Sequence, residues 1–569
     1  MSASTGLCDV QRRIDDVQRF LTSTLKVSNA HTMDFYTNDV WKRFIAVSPE
    51  DVLSALSSSG DRKMAPRIQH EGHSGTTFGF CNRTQRLVDP QQLLQGARAH
   101  SLPSLGLCQS REEFLQSIRR HQQQELLTEM GPELEPDDFM NSKKSHEVQS
   151  MSEVVAALAA RCRVKQVIDL GSGKGYLSSF LSMQFGLQVF GIDSSSTNTR
   201  GAQERNRKLK KFSRMYQKQK KRTDAGRPAS PQAVEEVSSG LAAVRVVSEE
   251  DQEREEETAS TLAENFFSAS ALDVVETPRS PRVKLTDEER ERRKKESLER
   301  KSQSSSSGSS SVFSPVTSHV TAQTKLQELV CDLEEAVMVG LHTCGDLAAS
   351  TLRIFVAQAP VSAVCSVGCC YNLMSEEFDP DAQDGPQSVY GFPMSQYVRQ
   401  HSWFCGRNAR LSACLSLERV SHGQGIQMES LFYRAVLHVI IRDHYSPLRS
   451  KKRVGTIYSK SNSFVDYVRR ALHRLELDHS KLSDREIQQY LDTYSPRRSE
   501  MDAFNMLKVT LAPCIEGLVL LDRLCYLKEQ ESVSFSSLVQ LFDPLLSPRC
   551  YAVVGLKAPR VCDGHLDLS

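Results

Sequence analysis

Val167-Ile168-Asp169-Leu170-Gly171-Ser172-Gly173-Lys174-Gly175-Tyr176-Leu177 is the stretch that decides how the rest of the chain is read. An apolar run from Val164 to Leu170 has the character of a buried strand. Glycines at 171, 173 and 175 then let the backbone pass close to a ligand, because glycine adds no side chain and accepts positive φ. Eighteen residues beyond Gly175, a second short apolar run, Gln188 to Ile192, closes on Asp193. An acid at that strand end can accept hydrogen bonds from both hydroxyls of an adenosine ribose. The pair of features predicts an adenosine-containing cofactor lying across the strand tips.

The spacing narrows the choice of cofactor. A dinucleotide fingerprint needs glycine where Tyr176 stands, and a phosphate-binding loop would need glycine at Asp169 and Ser or Thr at Gly175. The D-x-G-x-G-x-G arrangement instead resembles the first motif of class I methyltransferases, with Asp193 as the second-strand acid. That resemblance implies S-adenosyl-L-methionine as the cofactor, held by Asp169, Gly171, Ser172, Gly173, Gly175, Tyr176 and Asp193. It also places Asp169 within reach of the methionine ammonium or an ordered water.

Strands and helices alternate outward from this turn. A helix is expected over Tyr176 to Phe185, turning Leu177, Phe180 and Leu181 inward, and another begins near Ser196. A third strand is read at Val316 to Val320, followed by a short helix (Leu326 to Leu333) and a fourth strand (Ala336 to Leu341). A helix to about Val356 and a fifth strand (Ala363 to Val367) complete the run. The expected fold is therefore α/β, a Rossmann-like, mostly parallel, doubly wound sheet of the class I methyltransferase type.

The flanks differ. Residues 1–138 read as a helical N-terminal region, and a lead-in helix opens at Lys143-Lys144-Ser145-His146-Glu147-Val148. The methyltransferase domain occupies 139–207 and 315–400, interrupted by 208–314, whose basic run and serine tract cannot bury enough apolar surface to order themselves. Residues 401–569 read as a helical extension with a long apolar helix, Phe504 to Leu527, and a final strand, Cys550 to Leu556, rejoining the sheet.

Composition limits the partners. The chain has 569 residues, 71 Lys plus Arg against 70 Asp plus Glu, and a net charge of +1, so any nucleic-acid partner must use a local patch. Fifteen cysteines are scattered from Cys8 to Cys562 without a compact even spacing, which points to a reducing compartment. Asp9, Arg12, Arg13, Asp15 and Asp16 stand where a signal peptide would be apolar, and no later apolar run reaches about 18 residues. Cytoplasm or nucleus, with no membrane partner, is the expectation.

A second constellation lies at the tips of the fourth and fifth strands: His342-Thr343-Cys344-Gly345-Asp346-Leu347 and Gly368-Cys369-Cys370-Tyr371. Ligands of open parallel sheets bind outside the carboxyl ends of the strands, so these tips can line the entry of a methyl acceptor. Methyl transfer needs positioning, and for a neutral nucleophile also a base. His342 and Asp346 are the candidate bases and Tyr371 the candidate orienting group. Helix capping is the competing role for Asp346, and packing for Tyr371. A zinc site from His342, Cys344, Cys369 and Cys370 is set aside, because adjacent cysteines on a continuing strand point to opposite sides and no C-x-x-C pair accompanies them. No metal is expected.

Lys143-Lys144-x-His146-Glu147, the glycine turn, His342-x-Cys344-Gly345-Asp346-Leu347, Ser366 to Tyr371, Leu520-Leu-Asp-Arg-Leu524 and Ser547-Pro-Arg549 together resemble the methyltransferase-like protein 25 family. The domain is also similar to transfer-RNA methyltransferases with a Cys-Gly-x-x-x-Asp-Leu segment, although here Asp346 follows Gly345 at once. No Asn-Pro-Pro-Tyr-type motif of amino-group methylation is present. The resemblance implies the fold and cofactor of a methyltransferase rather than its substrate; the acceptor is read as RNA or protein, RNA slightly favoured by Lys143, Lys144 and the basic run after Lys208 as phosphate contacts. The alternative from another class is a non-catalytic adaptor that keeps the fold and binds a protein or RNA partner.

Deleting residues 212–312 is expected to leave the folded core and its cooperative melting unchanged, measured by calorimetry of the deleted chain against the full one. Loss of cooperative melting would refute the reading of this stretch as an insertion.

Overall fold

A computed structural model describes residues 6–58, 76–81, 84–119, 140–209, 313–380, 389–423, 426–445, 454–455 and 457–558. Apart from residues 208–209 and 313–314, the expected 208–314 insertion lies outside them.

A short hairpin, β1 (Thr76–Thr77) with β2 (Phe80–Cys81), precedes the main sheet. The main sheet has eight strands: β3 (Cys108–Ser110), β4 (Gln166–Leu170), β5 (Gln188–Asp193), β6 (Phe313–Thr317), β7 (Ala336–Thr343), β8 (Val361–Gly368), β9 (Val533–Gln540) and β10 (Tyr551–Lys557). Their order is β3-β9-β10-β8-β7-β4-β5-β6. Every neighbouring pair is parallel except the two that β10 makes with β8 and β9. The sheet is mixed and mostly parallel, and the fold is α/β.

Each strand feeds both faces, because successive side chains alternate. Ile168, Leu170, Ile192 and Met338 pack into a core shared with the helices Asp346–Ala357 and Arg498–Lys528. Val167, Val189, Val337, Val339 and Val539 face the opposite way, toward the lead-in helix Ser142–Cys162 and the helix Tyr176–Phe185. Strands buried on both faces are continuously apolar, which is why β4 has no exposed position.

The two flanks fold as one layer. The N-terminal helix Leu7–Asn29 packs along Arg498–Lys528. Lys508 Nζ donates to the Ala30 carbonyl at 2.8 Å, and Tyr397 Oη donates to Asp15 at 2.8 Å. The helical stretch Asp484–Lys528 contains an 18-residue window apolar enough to cross a membrane by length and composition, with mean hydropathy 1.5, contrary to the expectation of no such run. That window is 83% buried inside the protein, as the core helix of a folded domain would be.

Three differences from the sequence reading have physical causes. The third strand is Phe313–Thr317, not Val316 to Val320, and pairs Val189 with Phe313 through Asp193 with Thr317. Burying the Phe313 ring, 1% exposed beneath Gly175 and Gly191, sets this register. Pro315 is tolerated because β6 is an edge strand. Strand β9 lies inside the stretch read as helical, its alternation blurred by Ser534, Ser536 and Ser537, and the three-residue β3 lies inside the helical N-terminal region.

The register of β6 makes opposite demands on two residues. Phe313→Ala should cost about 3–5 kcal/mol in urea unfolding, whereas exposed His319, a strand residue in the sequence reading, should tolerate alanine within about 0.5 kcal/mol. Equal costs would reject the register.

Candidate functional site

Strand order reverses between β4 and β7, which lie side by side. The crevice outside their carboxyl ends is the place where open α/β sheets bind ligands. The glycine turn leaves β4 there, with φ of 72° at Gly171, 54° at Gly173 and 71° at Gly175, a region side chains other than glycine rarely adopt. Gly171 N donates to the Ile192 carbonyl at 2.8 Å, tying the turn to β5. A Cβ on Gly175 would meet the Phe313 ring at 2.7 Å, so this glycine serves packing. A Cβ on Gly173 would meet nothing within 4 Å, so there the backbone borders open space.

Asp193 closes the turn. Its Oδ2 accepts from Gly173 N at 3.0 Å, and its Oδ1 accepts from Ser195 N at 2.8 Å and Asn198 Nδ2 at 3.1 Å. Three of the roughly four acceptor positions of a carboxylate are used within the chain. One position on Oδ2 is left for a ribose hydroxyl, and accepting both hydroxyls requires Asn198 to yield. The Ser172 hydroxyl is buried without a hydrogen-bond partner. An open cradle over Gly173, an acid at its rim and an unsatisfied hydroxyl fit the adenosine part of S-adenosyl-L-methionine.

Asp169 lies deeper than the resemblance implied. It is 1% exposed and accepts the Ser178 hydroxyl at 2.6 Å, joining β4 to the following helix. Burial pushes its carboxyl up to about 7 against that hydrogen bond, with the Asp193 charge adding to the rise. Tyr176 begins the helix, its ring 3.9 Å from the Arg205 guanidinium carbon and its hydroxyl accepting from Arg205 Nη2 at 2.9 Å.

His342, on β7, is brought to the same crevice: its carbonyl would lie 3.4 Å from a Cβ on Gly171. Its imidazole is 32% exposed, and Nε2 lies 3.1 Å from Oε2 of fully buried Glu147, on the lead-in helix. The Lys144 ammonium stands 3.4 Å from the same Nε2, so this nitrogen lies between a group that only donates and a carboxylate that, ionised, only accepts; with the hydrogen of Nε2 given to Glu147, Nδ1 is the open ring nitrogen. Lys144 Nζ stands 3.4 Å from the same Glu147 oxygen, and the Ser547 hydroxyl donates to Oε1 at 2.8 Å. Burial opposes ionisation of Glu147, but the charges and hydrogen bond from His342, Lys144 and Lys143 outweigh it and hold the carboxyl well below its usual range.

The other two candidate catalytic residues have structural tasks. Asp346 Oδ1 accepts from Ser375 N at 2.8 Å, pinning the loop after β8. Tyr371 is 2% exposed and donates to Glu516 Oε1 at 2.9 Å, with the Arg523 and Arg549 guanidiniums 5.7 and 6.0 Å from its ring centre. It faces the interior, so it cannot orient an acceptor; burial, then Glu516, raise its hydroxyl well above the tyrosine range. The residues missed as site groups are Glu147 and Glu516. An acid inside an apolar helical run was the available signal for Glu516, whereas Glu147 stands in the polar stretch Lys143 to Ser150 and offered none.

The cysteines also correct the sequence reading. Strand β8 ends at Gly368, so strand alternation does not govern Cys369 and Cys370. Their sulfurs converge with that of Cys344: Cys344 Sγ to Cys369 Sγ is 3.0 Å and Cys369 Sγ to Cys370 Sγ is 3.6 Å. Hydrogen bonds from Cys369 and Cys370 lower the Cys344 thiol, while the contact with Cys344, together with burial, holds the other two above the usual thiol value. His342 is not part of this group.

The glycine turn at a sheet switch point defines a methyltransferase domain, and residues 143–377 match a family model described as a methyltransferase domain. Two relatives are similar over nearly the whole chain, both named Probable methyltransferase-like protein 25. That of Homo sapiens is 44% identical over 606 aligned positions, covering 98% of each chain, and that of Mus musculus 44% over 587, covering 97% of each. The chain belongs to the methyltransferase-like protein 25 family. No solved structure matches it.

A depressed carboxyl stabilises the fold above the ordinary glutamate value of 4.5, and that stabilisation fades as pH falls from there. Glu147→Gln should therefore lose about 1–3 kcal/mol near neutral pH and show a flatter decline of stability in acid than wild type. Urea midpoints measured from neutral to acid pH check this; parallel curves for the two proteins would reject the charge pairing.

Proposed function

We propose that this chain is an S-adenosyl-L-methionine-dependent methyltransferase acting on RNA. The observation that carries the cofactor assignment is the Asp193–Gly173 hydrogen bond at 3.0 Å, which holds a positive-φ glycine beside open space at the switch point. When bound, the cofactor supplies an electrophilic methyl group on a sulfonium. Asp193 would hold its ribose, and the backbone of Gly171, Ser172 and Gly173 would border it. Gly175 and Asp169 support the turn from beneath, and Tyr176 with Arg205 walls its helix side.

His342 is the residue that can accept a proton from the acceptor. Glu147 fixes the ring by taking the Nε2 hydrogen, which leaves Nδ1 to act as the base; a carboxylate behind a histidine serves the same orienting purpose in hydrolytic triads. Asp346 and Tyr371 act through position, holding the loops around the crevice. RNA is favoured over protein because Lys143, 47% exposed, and Lys144 stand at the crevice on the lead-in helix, although both also pair with Glu147, at 3.8 and 3.4 Å. A further basic hollow, lined by Lys460, Arg470, His473 and Arg474, lies in the C-terminal extension, although Arg470 is paired with Asp466.

Calorimetric titration with S-adenosyl-L-methionine should give binding in wild type and none in Asp193→Ala or Gly173→Arg. Absence of heat in wild type as well would overturn the cofactor assignment. Tritium transfer from labelled cofactor into extracts of cells lacking the protein, split into RNA and protein fractions, should label RNA; label confined to protein would reject that acceptor. On the labelled fraction, His342→Ala should slow turnover by about 10²-fold or more while cofactor affinity stays near wild type.

A further inference from the structure

We propose that Cys344, Cys369 and Cys370 form a three-thiolate site for a soft divalent metal ion, zinc above all, at the tips of β7 and β8. The three sulfurs lie within 4.8 Å of one another, with measured separations of 3.0 and 3.6 Å. Zinc holds thiolate sulfur at about 2.3 Å in a tetrahedron, which places neighbouring sulfurs about 3.8 Å apart. The two measured separations fall about 0.8 and 0.2 Å short of that spacing and the third is no more than 4.8 Å, so shifts of about 1 Å or less in the sulfurs complete the geometry.

The fold builds this triangle. Cys344 leaves β7 directly after Thr343, and Cys369 leaves β8 directly after Gly368. The two tips are clamped, since the Thr343 hydroxyl donates to the Val367 carbonyl at 2.9 Å across a register shift between Gly340 and Thr343. Beyond Cys370, the buried Tyr371–Glu516 hydrogen bond anchors the turn that aims both cysteines. Cysteines that only fill the core, such as Cys365 and Cys514, lie singly in apolar surroundings.

Charge and access suit an ion. Each coordinating thiol would release its proton to solvent, so three thiolates around a divalent cation leave one net negative charge. Buried Arg549 supplies a positive charge that acts on Cys369 and Cys370. The Cys414 thiol donates to the Cys369 carbonyl at 3.5 Å, supporting the ligand loop from behind. Cys344 is exposed, which gives the ion a way in. Three protein ligands leave a fourth position for water or another donor, as in zinc sites that exchange a ligand. Cys344 follows His342 by two residues at the tip of β7, and the charge of Asp193 is felt at its thiol.

The inference is independent of the methyl-transfer reading, because it can be measured without cofactor. Full-length protein, reduced, loaded with zinc and dialysed, should hold about one zinc per chain by mass spectrometry of the metal. Cys369→Ser and Cys370→Ser should each lower that content at least about fivefold, whereas Cys331→Ser, exposed before the opposite end of β7, should keep it. Cobalt loaded in place of zinc should give a thiolate-to-metal charge-transfer band in wild type, a readout that stands even if a serine variant fails to fold. Wild type with under about a tenth of an equivalent of zinc after loading, or cobalt bound without that band, would overturn the site. So would a Cys344–Cys369 disulfide in the purified protein that, once reduced, still takes up no zinc.

Discussion

A fully buried carboxylate must find its partners or stay neutral, and Glu147 finds them in three parts of the chain. Lys143 and Lys144 come from its own helix, His342 from β7, and Ser547 from the loop between β9 and β10. The lead-in helix, the strand at the switch point and the C-terminal hairpin can therefore dock in one register only, because any slip strands a charge in the interior. The crevice inherits this rigidity: the imidazole at its edge is oriented by the group that locks the surrounding elements.

The long helix Arg498–Lys528 repeats the device along its length. Asp522 accepts from Met394 N at 2.7 Å and from Ser395 N at 2.9 Å, and Glu516 accepts from Tyr371. Burial pushes Asp522 up to about 6, against the hydrogen bonds that favour its charge. In the chain after β8, buried Glu376 accepts from Cys405 N at 2.8 Å and from Gly406 N at 3.0 Å, and pairs with Arg410 at 2.8 Å. The irregular chain after β8 has little regular structure of its own, and buried charges replace the ladder hydrogen bonds that would otherwise fix it.

This explains which parts were legible in the sequence. The glycine turn, Asp193 and the helix Tyr176–Phe185 depend on local backbone rules, so residue order was enough to place them. Strand β6 depends on which ring fills the space under Gly175, and Phe313 wins over the more strand-like Val316 to Val320 through a contact that no local pattern carries. Tyr371 looked available because it follows a strand tip, but the acid that claims it is 145 residues away. The cysteine triangle was hidden for the same reason: it depends on where β8 stops, and alternation rules fail one residue past that point.

The domain boundary follows from the same contacts. The matched methyltransferase segment runs over residues 143–377, yet two further strands of its sheet, β9 and β10, come from beyond residue 530. Without β10, strand β8 would expose its edge from Ala363 to Val367, the residues now paired with Leu556 to Ala552. An unpaired apolar edge of that length is an aggregation template. A chain cut at residue 377 would also leave Glu147, Tyr371 and Cys370 without Ser547, Glu516 and Arg549. The C-terminal extension is thus a structural part of the crevice, and the elements that shape that crevice belong to both halves of the chain.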